Sequence, residues 1–379
     1  MNEVSIGFTG DFCPMYRLEE QFKTGDWKHV FDEVRPFFLE NDLNIIDLEC
    51  PLTHSTQKIV KTGPHIKSTP DTAEILSDLN CKLVVTANNH FKDFGWGGMR
   101  DTQNALHTHE IDWCGSGANI TEASETKFLH IKGISFAIIN MAENEWTTTH
   151  GEQPGCNPID YPRALQKIQA ARQRSTDFVL VILHGGHEHY SLPSPRMKAQ
   201  FRFMIDAGAD AVVGHHTHII SGYEMYKNKP IFYSLGNFCF DWPSLRGGSW
   251  NRGMLLRLVF DKSKDIRFDY QLIHQNDAHI GVKLLTQEDL VRQEEEIARL
   301  NTIIADDVLL QQSFESYAET LKAVMLSRIQ PYRNKYLISL HKRRLLPDLI
   351  GLSKKKMFKI LTQCESHREV LLQSLKNIG

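Results

Sequence analysis

Apolar residues in this chain come in short runs that end in polar, metal-competent side chains, and the runs are separated by segments of helical period. VSIGFTGD ends at Asp11, LNIIDLE at Asp47 and Glu49, and CKLVVTANNH at Asn88, Asn89 and His90. FVLVILHGGHE carries His184 and Glu188, and DAVVGHHTH carries His215, His216 and His218. Near-continuous Val, Ile and Leu over five to eight residues reads as a strand covered on both faces. Between them TAEILSDL (72–79), GGMRDTQNALHTH (97–109), YPRALQKIQAARQR (161–174) and PRMKAQFRFMIDAG (195–208) read as helices, the last stopped by Gly208. Strand and helix patterns alternate to about residue 245, which predicts an α/β fold with a mostly parallel sheet. KFLHIKGISFAIINM, KPIFYSLGNFCF and GMLLRLVFD predict further strands, in a second sheet or added to the first, with a turn at KNKP.

After residue 285 the pattern becomes helical and polar, as in QEDLVRQEEEIARLNTII, and past residue 330 it turns basic, in HKRRLL and SKKKMFK. The expected division is therefore a domain over 1–280 and a helical, basic C-terminal extension over 281–379. The extension can meet an acidic partner, a polymer synthase being one option, or a membrane surface, or it is simply a solvated face.

At 379 residues the chain can bury a core without disulfides. A net charge of −3 excludes a strong global field toward nucleic acid, and no basic stripe accompanies the strand ends. Seven dispersed cysteines without C-x-x-C read as free thiols of a reducing compartment. Neither a leader pattern nor a membrane-spanning stretch is evident, so the cytoplasm is the expected location.

Strand carboxyl ends are where α/β sheets collect ligands. Asp11, Glu49, Asn89, His184, His216 and His218 offer carboxylate, amide and imidazole, a donor set that suits Mn, Zn or Fe. On a strand of period two, His216 and His218 share a face and His215 faces away; Asp47 and Glu49 share a face likewise. Taken singly, each motif has an ordinary explanation: a turn or cap at TGD, a capping loop at NNH, a Gly-rich turn with surface histidines at HGGHEHY. Their joint occurrence at five strand ends points to a metal site, of one centre or two adjacent ones, and two cations there would activate water for phosphoester cleavage.

The ordered set GD11, DLE49-CPLT, ANNH90, HGGHE188, GHHTH218 and IFYSLGNFCFD241 resembles the CapA family of capsule and poly-gamma-glutamate synthesis proteins, a branch of the calcineurin-like metallophosphoesterases, over about residues 4–245. The resemblance implies a four-layer α/β/β/α sandwich with a two-metal site. It makes Asp11 and His218 ligands of one metal, Asn89, His184 and His216 ligands of the other, and Glu49 the bridge. His90 takes the place of the histidine that assists the leaving oxygen, and Glu188 touches substrate or supports the site. Three departures stand out: Phe12 and Cys13 where D-x-H is usual, Asp47-Leu48-Glu49 where CapA relatives have Asn-Leu-Glu, and Glu188-His189-Tyr190 where an aromatic follows Glu.

Around the motifs, Lys67 of the Gly-Pro loop KTGPHIKSTP, with Arg246 and Arg252 of SLRGGSWNRG, are the expected contacts for an anionic small-molecule or polymer substrate. Trp96 and Trp242 read as core or rim. The expected function is a metal-dependent hydrolase of a phosphoester or amide-like bond in surface polymer synthesis; the alternative is a non-hydrolytic, metal-binding assembly factor for a polymer synthase.

Overall fold

Two sheets pack face to face in the computed structural model, which describes residues 3–332 and 334–363. The first sheet has the strand order Val282–Leu284, Ile266–Gln275, Arg252–Phe260, Val4–Phe12, Leu43–Leu48, Cys81–Val85 and Asp112–Cys114, with Asn237–Cys239 also paired to Val4–Phe12. The second runs Tyr223–Tyr226, Lys229–Phe232, Ala211–His215, Phe178–His184, Ile134–Ala142 and Lys127–Ile131. The strands that carry the candidate ligands are parallel within each sheet: Val4–Phe12 with Leu43–Leu48 and Cys81–Val85 in one, Phe178–His184 with Ala211–His215 in the other. The later β patterns divide between the sheets, with KPIF in the second and NFC and RGMLLRLVF in the first.

Period-two alternation builds the layers. Phe8, Ile45, Leu83 and Val85 point inward against Ile138, Leu180, Ile182 and Val213 of the facing sheet. Their neighbours Ile46, Leu48 and Val84 point outward to Phe38, Leu76, Met99 and Leu106. On the other side Val179, Val181 and Val212 meet Ala164, Ile168, Phe201 and Met204. Apolar runs without alternation follow directly, because both faces of each sheet are covered. The outcome is the expected four-layer α/β/β/α sandwich.

The covering helices are Thr72–Asp78, Gly95–Thr108, Tyr161–Gln173 and Pro195–Ala207. Asp160 and Ser194 cap the last two by accepting from the amides of Arg163 and Met197, and Gly208, at φ 120°, stops the final one. Lys227 and Asn228, both at positive φ, form the two-residue hairpin turn read at KNKP.

Contacts among the described residues divide the chain after Leu310, with a second unit starting at Gln311. The helix Gln287–Ala305 belongs to the first unit because it buries Ile297, Leu300 and Ile304, and Asn301 accepts from the Tyr223 amide at 2.7 Å. In the second unit, Lys335–Lys342 and Leu352–Gln363 are helical as expected. Six cysteines are buried and free; Cys364 lies outside the described residues. No described helix is long and apolar enough to cross a membrane.

Candidate metal centre

Register brings the acids together. Asp11 and Asp47 are paired across the parallel strands Val4–Phe12 and Leu43–Leu48, and Glu49 follows directly after the second of these. Gly10 permits this approach: a Cβ there would lie 2.1 Å from the Gly236 carbonyl oxygen, which accepts from the Asp11 amide at 2.9 Å. In the second sheet His184 and His215 are paired in the same way.

Three groups of donor atoms result, each close enough to share one cation: Glu49, His184 and His216; Asp11, Glu49 and His218; and Asp11, Asp47 and His215. All of these side chains are buried. His184 Nε2 lies 3.0 Å from Asn89 Oδ1 and 3.2 Å from His216 Nδ1. Donors about 2.0–2.1 Å from one tetrahedral cation stand about 3.3 Å apart, so this spacing suits a shared ion. His218 Nδ1 is 3.1 Å from Asp11 Oδ2. Glu49 faces both groups, with Oε1 3.8 Å from His184 Nε2 and Oε2 3.6 Å from His218 Nδ1. Both Glu49 oxygens are buried with no hydrogen-bond partner among the described residues. Buried carboxylate oxygens are ordinarily satisfied, so the orphaned pair fits a cation on each side.

Alternation along a strand does not place the histidines. The strand ends at His215, and His216 and His218 adopt φ values of 96° and 60°. Such backbone strain costs on the order of 1–3 kcal/mol per residue and concentrates at functional sites. It turns both imidazoles inward, and His215 points inward as well, with Nδ1 3.1 Å from Asp11 Oδ1, contrary to the expectation that it faces away.

The asparagines have separate tasks. Asn88 Oδ1 accepts from the amides of His90 and Phe91 and its Nδ2 donates to the Leu48 carbonyl, which shapes the turn that presents Asn89 and His90. His90 Nδ1 lies 2.8 Å from Asp93 Oδ2 and 3.1 Å from Lys61 Nζ, and Lys61 pairs with Asp93 Oδ1.

Burial sets the electrostatics, and charge neighbours then decide each sign. Desolvation would raise Asp11, but hydrogen bonds and charge from His215 and His218 hold its carboxyl well below the usual range. Burial pushes Asp47 up to about 8, with Asp11 adding to the rise against the opposition of His215. Burial, Asp11 and Asp47 together drive Glu49 well above its ordinary value. Burial lowers His184 to about 3, and with His184 and His218 it carries His216 well below its usual range. Burial depresses His218 and His215 too, yet the nearby carboxylates leave both raised. Three acids and four imidazoles thus share protons that a bound cation would displace.

Outside the cluster, burial raises Glu188 and His218 and His216 more than reverse it, so it is anionic at neutral pH. The three expected anion contacts have internal partners. Lys67 donates to the Ser55 carbonyl at 2.7 Å and lies over the Phe94 ring. Arg246 grips Asp241 through two hydrogen bonds, and Arg252 pairs with Asp289 at 3.2 Å. Lys61, at the start of the same Gly-Pro loop, lies beside His90. Trp96 and Trp242 pack at the edge of the first core, as read. Sequence reading passed over Asp93, whose signal is the three-residue spacing from His90. It also passed over Glu145, 3.6 Å from His216 Nε2, and Trp250, whose ring centroid is 4.5 Å from that of His218.

A double sheet with carboxylates and imidazoles gathered at its parallel strand ends makes the fold an α/β/β/α sandwich that carries a candidate metal centre. The chain belongs to the family of the bacterial capsule synthesis protein PGA_cap, whose model matches residues 5–242 and so contains every residue of the cluster. The capsule biosynthesis protein CapA of Bacillus anthracis is 28% identical over 247 residues, 63% of this chain and 60% of that protein. The PGA biosynthesis protein CapA of Bacillus subtilis is 28% identical over 305 residues, 78% of this chain and 77% of that protein. Among solved structures, the calcineurin-like phosphoesterase YfkN from Bacillus subtilis aligns with 80% of this chain and 99% of its own, at 12% identity and a TM-score of 0.40.

Proposed function

We propose that this protein is a two-cation hydrolase that cleaves a phosphoester or amide-like bond in a substrate of capsule or surface polymer synthesis. The observation that carries the reading is Glu49, a buried carboxylate with both oxygens unpartnered between two convergent donor groups. Asp11, Glu49 and His218 would hold one cation, and Glu49, Asn89, His184 and His216 the other; Mn, Zn and Fe all suit these donors. Bound there, the pair supplies Lewis acidity and a water acidic enough to react near neutral pH.

The chain's own residues do the rest. In hydrolysis a water oxygen forms the new bond to phosphorus or carbonyl carbon, and the bond to the leaving oxygen or nitrogen breaks and takes up a proton. His90, which burial keeps neutral, is our candidate to deliver that proton: with Nδ1 accepting from the Lys61 ammonium, the ring carries its one hydrogen on Nε2, the tautomer a proton donor requires. Glu188, exposed and held below the ordinary carboxylate range by its histidine neighbours, supports the site or meets substrate. Lys67, Arg246 and Arg252 have less support as anion contacts, because each is engaged internally.

The test is turnover of a panel of phosphomonoesters, phosphodiesters and gamma-glutamyl peptides by purified protein with Mn or Zn, repeated with His90→Ala. Turnover that the substitution abolishes supports the hydrolase. Metal binding without turnover of any member supports the assembly-factor reading instead.

A further inference from the structure

Behind the donor atoms lies a second layer. Asp47 and His215 both stand on ladder positions rather than in loops: Asp47 pairs with Asp11 in one sheet, and His215 pairs with His184 in the other. The four residues therefore form a square across the sandwich, with each ligand beside a residue of the opposite chemical kind in the facing sheet. Asp47 Oδ2 lies 2.8 Å from His184 Nδ1, and His215 Nδ1 lies 3.1 Å from Asp11 Oδ1. One diagonal, His215 Nδ1 to Asp47 Oδ2, is 3.8 Å. The outward atoms of the two ligands are thereby selected. His184 Nε2 faces Asn89 and His216, and Asp11 Oδ2 faces His218.

We propose that Asp47 and His215 are positioning residues, a buried carboxylate–imidazole pair that fixes the ring of His184 and the carboxylate of Asp11 so that Nε2 and Oδ2 are presented to cations. The inference rests on the two-cation reading above. Its physical basis is that a ligating imidazole is oriented and made more basic by a carboxylate on its other nitrogen, and loss of such a partner typically lowers metal affinity 10–100-fold. An imidazole N–H on the inner oxygen of Asp11 orients the second ligand and favours its charged form. Because all four backbone positions are set by strand pairing, the square holds the ligands in place before any cation arrives, whereas His216 and His218 depend on a strained loop.

The experiment is calorimetric titration of metal-stripped protein with Mn and with Zn, with elemental analysis of the loaded form. Asp47→Ala should retain two equivalents per chain and bind them 10–100-fold more weakly. Asp47→Asn, which keeps an oxygen to accept from His184 Nδ1–H, should recover most of that loss. His215→Gln should weaken binding in the same range, and it carries the test if Asp47→Ala does not fold. Wild-type affinity in both Asp47→Ala and His215→Gln would overturn the proposal. So would loss of a whole equivalent, which would make Asp47 or His215 a ligand, or three equivalents in the unsubstituted protein, which would make the third donor group a cation site. Absence of divalent cation binding in the unsubstituted protein would refute the two-cation reading and this inference with it.

Discussion

Lys61 and Asp93 form an ion pair whose side chains are 2% and 0% exposed, and the same carboxylate holds His90. Removing one partner of a buried pair strands the other charge, at a cost of about 3–5 kcal/mol. Lys61→Met should therefore destabilise the protein by about that much in urea denaturation. A loss below about 1 kcal/mol would mean that the pair is solvated.

Glu49→Gln separates folding from metal binding. Burial and the neighbouring acids already oppose charge on Glu49, so an uncharged isostere should leave the metal-free protein at least as stable. The added stability from a bound cation, about 2.7 kcal/mol at a hundredfold excess over Kd, should fall sharply. Thermal melts with and without Mn check both halves.

His90→Ala should retain the metal content of the unsubstituted protein, since His90 belongs to none of the donor groups. Removal of a general acid typically lowers kcat by about 10²–10⁴-fold. Metal analysis beside steady-state kinetics tests this, and loss of metal would reassign His90 as a ligand.

Asp241 provides a pH signature away from the site. Burial raises its carboxyl, but Arg17 and Arg246 more than offset this and lower it. A group with a depressed folded pKa stabilises fully above its unfolded value of about 3.9 and loses that contribution as pH falls through the folded value. The stability gap between the unsubstituted protein and Asp241→Asn should be level near neutrality and narrow below about pH 4. Denaturation series at several pH values would show it; a gap that widens in acid would reverse the assignment.

The layers were legible because they depend on local pattern. Apolar runs such as FVLVIL, bounded by turn residues, suit strands covered on both faces, and the helix stop at Gly208 is written in residue type. The domain boundary was less legible. The polar helix Gln287–Ala305 looks like an extension until Ile297, Leu300 and Ile304 are seen against the sandwich, and so few buried side chains make a weak signal in sequence.

The amino-acid sequence by itself determined that carboxylate, amide and imidazole donors end the strands, since six candidate donors of four residue types sit at strand ends of one α/β region. Only tertiary structure decided how they face one another. His215 turned inward and Lys61 came to stand beside His90, because orientation there follows from loop dihedrals and cross-sheet hydrogen bonds that no periodicity encodes. Asp47 became the partner of His184 for the same reason: the two are far apart along the chain, and the distance that joins them exists only once both sheets have packed.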